Sequence, residues 1–171
     1  MKVVKKILMS LFLIIFIPLI IINICIITKA IKYPSKIPDF MGYKPMIVMS
    51  NSMESAIDVG DVVIVKEVDT STLKRGDIVA YRIDDVCITH RIAKVNSDGT
   101  YITKGDNNNA LDDEVINKSQ IEGIYVTKIK GLGHLLLFLK EPLGLAVVLM
   151  GILLVGVTSY LIIDKCRRKV V

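Results

Sequence analysis

Cysteine, histidine and aromatic residues are scarce in this chain, and each scarcity narrows the chemistry open to it. The three cysteines, Cys25, Cys87 and Cys166, stand in three separate regions, so no intramolecular disulfide framework is expected. No group of residues has metal-ligand spacing, and the Asn107-Asn108-Asn109 tract is spaced neither as a zinc nor as a calcium site. Aromatic residues make up 6% of the chain and show no base-stacking pattern; there is no phosphate loop either. The expectation is a protein with no cofactor or metal and no nucleic-acid partner. Repeats and low-complexity tracts are also missing.

Charge is absent from two long stretches, and there the sequence becomes informative. Ile7 to Thr28 is an uncharged run of 22 residues, and Leu143 to Ile163 one of 21. At about 1.5 Å per residue the first spans roughly 33 Å as a helix, enough for a hydrocarbon core of about 30 Å. Pro18 and Asn23 are tolerable in such a helix. Lys2, Lys5 and Lys6 would also suit a signal peptide, but the run exceeds an ordinary h-region. Thr28-Lys29-Ala30 is, besides, a poor cleavage site, so a retained anchor is expected. Lys165, Arg167, Arg168 and Lys169 follow the second run. By the positive-inside rule both ends face the cytoplasm and the middle lies outside. Much of the net charge of +5 sits in these flanks, where it speaks for orientation and anionic lipid.

Between the runs, Tyr33 to Asp39 reads as an extended linker, because Pro34 and Pro38 each push their predecessors out of the helical region. Val- and Ile-rich segments then alternate with turn residues. They predict strands at Met46–Met49, Val62–Val68, Ile78–Ile83, Val86–Val95, Thr100–Lys104 and Gly123–Ile129. The fold class expected is mainly β, flanked by an N-terminal and a C-terminal transmembrane helix. The divisions are residues 1–6 (cytoplasmic), 7–28 (first span), 29–42 (linker), 43–131 (extracytoplasmic β domain), 132–142 (juxtamembrane), 143–163 (second span) and 164–171 (basic tail). The apolar juxtamembrane stretch is too short to span; it reads equally as an interfacial dip or as an ordinary buried connector.

The outer domain carries a hydroxyl, an imidazole and carboxylates. Ser52 follows the first predicted strand, where a serine can present its hydroxyl and its amide to a cleft. Ser50, two residues earlier, points to the same side if the segment is extended, and its hydroxyl is a candidate oxyanion-hole donor. A serine needs a base. His134 lies in the juxtamembrane stretch, which leaves His90. A hairpin closed by Asn96-Ser97-Asp98-Gly99 places residues 105–107 across from His90, so Asp106 is the preferred third member of a triad. A bulge in the hairpin would undo this. Asp112 and Asp113, carried by the Asn-rich loop, compete for the role, Asp113 being the second choice. A Ser-Lys dyad using Lys66, Lys74, Lys94 or Lys104 is the competing arrangement, but no strand pattern buries one beside Ser52.

With these residues the chain resembles type I signal peptidase of the archaeal and endoplasmic-reticulum form, which also occurs in some Gram-positive bacteria. Five boxes carry the resemblance in order: Ser50-Asn51-Ser52-Met53-Glu54, Val59-Gly60-Asp61, Lys74-Arg75-Gly76-Asp77-Ile78-Val79, Thr89-His90-Arg91-Ile92 and Thr103-Lys104-Gly105-Asp106-Asn107-Asn108. It implies a serine endopeptidase that removes signal peptides through an acyl-enzyme. Ser52 would be the nucleophile, His90 the base, Asp106 or Asp113 the third member and Ser50 an oxyanion donor. The partners implied are signal-peptide-bearing precursors, the lipid bilayer and the protein translocation machinery. Three departures stand out: Asn51 where the family usually has Gly, Ser55 where it has Pro, and one extra Asn before Asp112-Asp113. Two rivals remain, a peptidase with few clients and a catalytically silent membrane adaptor that keeps the domain for binding.

Overall fold

The computed structural model describes residues 2–33 and 37–168; Lys169 of the expected basic tail lies outside them. Seven strands form one sheet: β1 (Tyr43–Ile47), β2 (Val62–Lys66), β3 (Ile78–Ile83), β4 (Val86–Val95), β5 (Tyr101–Lys104), β6 (Val115–Ile116) and β7 (Ile121–Ile129). Their order is β1-β2-β7-β3-β4-β5-β6, with every pairing antiparallel. Five strands stand where branched aliphatic residues predict them, while β1 begins three residues before the expected Met46–Met49 and shares only Met46 and Ile47 with it. The seventh, β6, is two residues long, too short to leave a periodic signature.

Alternation along the strands gives the sheet two buried faces. One face collects Leu73, Val79, Tyr81, Ile92, Tyr101 and Ile116. The other packs Met53, Ile57 and Val63 with Met46, Val48, Ile78 and Tyr125. In a flat sheet β1 and β4 would be roughly 19 Å apart, four strand spacings of about 4.8 Å. Yet the Cys87 thiol of β4 lies 3.5 Å from the Met46 sulfur of β1. The sheet therefore curls until β1 faces β4, and the loop after β1 closes over the mouth of the curl.

Helices flank the sheet. α1 (Lys2–Lys32) precedes it, while α2 (Leu132–Lys140) and α3 (Pro142–Arg168) follow. α2 covers most of the stretch read from sequence as juxtamembrane. Among the described residues one helical segment is long and apolar enough to cross a membrane, Pro142–Tyr160, with mean hydropathy 2.2; Phe16–Lys29 is a shorter apolar stretch.

α2 is tied to the sheet by Asp61, which is 1% exposed. Its carboxylate accepts hydrogen bonds from the amides of Asp58 and Gly131 and pairs with Lys128 at 2.9 Å. Burial opposes ionisation here, but Lys128 and the two amides outweigh it and hold the carboxyl below its usual value. Next to it, the Gly133 amide donates to the Gly60 carbonyl at 2.8 Å. Gly60 has φ +81°, and a side chain there would run into the His134 ring. The imidazole left out of the triad by the sequence argument thus packs against the end of the β1–β2 loop.

Candidate active site

Three elements bring the site together. The β1–β2 loop carries Ser52, anchored by its neighbour Met53, which is 2% exposed in the second core. β4 supplies His90, whose partner in the ladder is Val79 of β3. The β5–β6 connection supplies Asp112. The Ser52 hydroxyl lies 3.0 Å from Nε2 of His90, and Nδ1 of His90 lies 2.6 Å from Oδ2 of Asp112. Both distances are hydrogen bonds of good length. His90 is buried and Asp112 half-buried, so little water competes for these contacts.

Asp112 also receives the hydroxyls of Thr103 at 2.6 Å and Tyr81 at 3.2 Å. Desolvation works against its charge. The hydrogen bonds from Thr103 and His90, the His90 charge and Tyr81 together prevail, and the carboxyl stays below its usual value. Asp112 is therefore a carboxylate near neutral pH, able to hold an Nδ1 proton on the imidazole.

Asp106, the preferred third member from sequence, stands elsewhere. It forms a two-point pair with Arg91, at 2.8 Å and 2.6 Å, and Arg91 also donates to the Gly76 carbonyl. The cause is a bulge in the hairpin. β4 and β5 pair as Val95↔Tyr101 and Lys94↔Ile102, then as Ile92↔Thr103 and Arg91↔Lys104, with the irregularity between Ile92 and Lys94. That one-residue shift continues to place Gly105, not Asp106, opposite His90. Asp106 falls on the face of Arg91. Asp113 is exposed and bonds to neither Ser52 nor His90. Asp112 takes the contact, one residue before the second choice, in the loop that carries the extra Asn. Asp106 serves the site differently. The loop it holds delivers the Asn107 amide to the Ser52 carbonyl at 2.8 Å, and a side chain on Gly105 would sit 2.6 Å from that same oxygen.

Ser50 is exposed, with its hydroxyl 3.3 Å from that of Ser52. The Ser52 amide donates to no described residue. Lys66, Lys74, Lys94 and Lys104 make no hydrogen bond to Ser52, whose hydroxyl neighbours are His90 and Ser50. Ser55 adopts φ +82°, a conformation closed to the proline usual in the family. Among the described residues no cluster of His, Cys, Asp or Glu could hold a metal ion.

Beside Ser52 runs a groove of about 430 Å³, lined chiefly by Met46, Val48, Met49, Ile57, Val63 and Ile88. Two backbone edges border it. β1 is one of the two edge strands of the sheet. On β4, residues 86–90 have no strand partner on the side away from β3, since β5 pairs only from Arg91 onward. A larger polar hollow, about 780 Å³ around Lys44, Arg82 and Glu122, is lined by one serine, Ser119, and by no histidine.

Comparison with known proteins agrees with this chemistry. The family model described as Peptidase S24-like matches residues 29–126. Signal peptidase I W of Bacillus subtilis is 31% identical over 130 residues, which is 73% of this chain and 66% of that protein. The signal peptidase complex catalytic subunit SEC11 of Chaetomium globosum is 33% identical over 121 residues, 63% of this chain and 70% of that protein. The human SEC11C subunit is 33% identical over 81 residues, 44% of this chain and 42% of that protein. The chain thus spans about two thirds of the length of the first two relatives. With more than half of its residues matched by the family model and relatives of this kind, the chain belongs to the Peptidase S24-like family, in its branch of endoplasmic-reticulum-type signal peptidases.

Proposed function

We propose that Ser52, His90 and Asp112 form the catalytic triad of a signal peptidase, a serine endopeptidase that removes signal peptides from membrane-tethered precursors. The observation that carries this is the unbroken chain of contacts from the Ser52 hydroxyl through both ring nitrogens of His90 to Asp112. Nε2 takes the hydroxyl proton as Ser52 Oγ attacks the scissile carbonyl, and the tetrahedral oxyanion forms. Asp112 holds the Nδ1 proton and stabilises the imidazolium. The proton then passes to the leaving amine as the C–N bond breaks. Water, activated by the same imidazole, hydrolyses the acyl-Ser52 ester and regenerates the hydroxyl. The unengaged Ser52 amide and the nearby Ser50 hydroxyl are suited to the oxyanion.

An extended substrate fits between the free edges of β1 and β4, adding its backbone to both. The apolar groove would accept small apolar residues ahead of the cut. α3, and α1 with its lysines, are assigned as spans with both ends cytoplasmic, and the sheet then lies on the outer face. The bilayer and the translocation machinery are the partners that this placement implies. A binding adaptor would have no use for an aligned triad.

The test uses full-length protein in detergent with a radiolabelled precursor. Ser52→Ala and His90→Ala should each abolish cleavage while the protein still folds; unchanged cleavage by either would overturn the assignment. A panel of precursors separates a general peptidase, which cuts most of them, from one with few clients.

A further inference from the structure

We infer that Tyr81 and Thr103 are positioning residues for the reaction, two buried hydroxyls that aim the Asp112 carboxylate at His90. This rests on Asp112 as the third triad member and asks what holds it there. Asp112 needs holding. It belongs to the irregular stretch between β5 and β6, whose residues Asn109 to Leu111 and Asp113 to Glu114 are all exposed. Tyr81 and Thr103, by contrast, belong to strands and are 1% and 0% exposed.

Thr103 grips Asp112 twice. Its carbonyl accepts the Asp112 amide at 2.9 Å, and its hydroxyl lies 2.6 Å from Oδ2. Tyr81 approaches the same oxygen from β3, at 3.2 Å, and its own oxygen is 3.0 Å from the Thr103 hydroxyl. Tyr81 also lies 3.3 Å from Nδ1 of His90, its ring edge-on to the imidazole. The proton inventory decides the direction of these bonds. For Nε2 to accept from Ser52, Nδ1 must carry the ring proton and donate to Asp112. Nδ1 then has no lone pair for Tyr81, so the phenol donates to Asp112 instead. Burial holds the phenol well above its ordinary titration range, which keeps it a donor at any working pH. One carboxylate oxygen thus collects three donors, from β3, β4 and β5. A buried hydroxyl without a partner is costly, so the arrangement resists distortion.

The experiment measures kcat and KM of full-length variants in detergent on a precursor substrate. Tyr81→Phe and Thr103→Val keep ring and shape but remove one donor each. Each should lower kcat about 10- to 150-fold, the effect of one hydrogen bond to a charged group, with KM within about twofold. Thr103→Ser, which restores the hydroxyl, should recover kcat to within about threefold of the parent. In an Asp112→Asn background, adding Tyr81→Phe should change the residual rate by less than about twofold, because the interaction partner is already lost. Parental kcat in both Tyr81→Phe and Thr103→Val would overturn the inference, as would losses confined to KM. A full Tyr81 effect on top of Asp112→Asn would overturn it while leaving the triad intact. Parental activity of Asp112→Asn alone would instead remove the triad reading and this inference with it.

Discussion

At the scale of single residues, the two acidic side chains near His90 divide their work, and their variants should differ in kind. Asp112→Asn keeps the shape but favours the wrong imidazole tautomer, and a loss of about 10⁴ in kcat is the precedent for that change in a serine triad. Asp106→Asn leaves the triad's hydrogen bonds in place and loosens the loop against the Ser52 carbonyl. Its loss should be far smaller and should come with a lower unfolding temperature. Steady-state kinetics beside thermal melts separates the two. Ser52, His90 and Ser50, which stand together in the structure, were legible from residue types, because the chain has just two histidines and one Ser-x-Ser before a turn. The carboxylate that contacts His90 was not. A one-residue bulge decides it, and nothing in the aliphatic pattern of β4 and β5 marks Ala93 as the place where the ladder slips.

At the scale of elements, the strands were legible because branched aliphatic residues alternate with turn residues, and β3 and β4 begin and end where the pattern says. Loop conformation was not legible. Ser55 at φ +82° lies where a family alignment would put proline, whose ring holds φ near −65°. Ser55→Pro should therefore destabilise the protein by more than about 1 kcal/mol, since proline cannot adopt this angle. Chemical denaturation would show it as a lower midpoint at unchanged slope. The sequence likewise gave no sign of the Gly60–His134 packing, because the two residues lie 74 positions apart and only the docking of α2 brings them together. Gly60→Ala should lower the midpoint in the same way, through its positive φ and the clash with the imidazole.

At the scale of the whole molecule, two ion pairs tie distant parts of the chain and should set its acid limit. Arg91 holds the Asp106 carboxyl below its usual value of 3.8, and Asp61 is held below the same value by Lys128 and two amides, against the effect of burial. Folded values below unfolded ones mean that the stabilisation is complete above pH 3.8 and drains away as pH falls through the lower, folded values. Melts from pH 6 downward should therefore be flat until about 4 and fall steeply below it, and Asp106→Asn should flatten part of that fall. Anchoring belongs to this scale too. In proteoliposomes a precursor that retains its signal helix should be cut faster than a soluble peptide with the same cleavage site, by up to the mM effective concentration that tethering provides. Dilute micelles should erase much of the difference.

Met53 has one more consequence. Because Met53, next to Ser52, is a plug in the second core, Ser52 cannot swing away from His90 unless that plug is drawn out. Heating should accordingly leave no window in which the protein is folded yet inert: the curve of lost turnover and the curve of lost structure should share one midpoint.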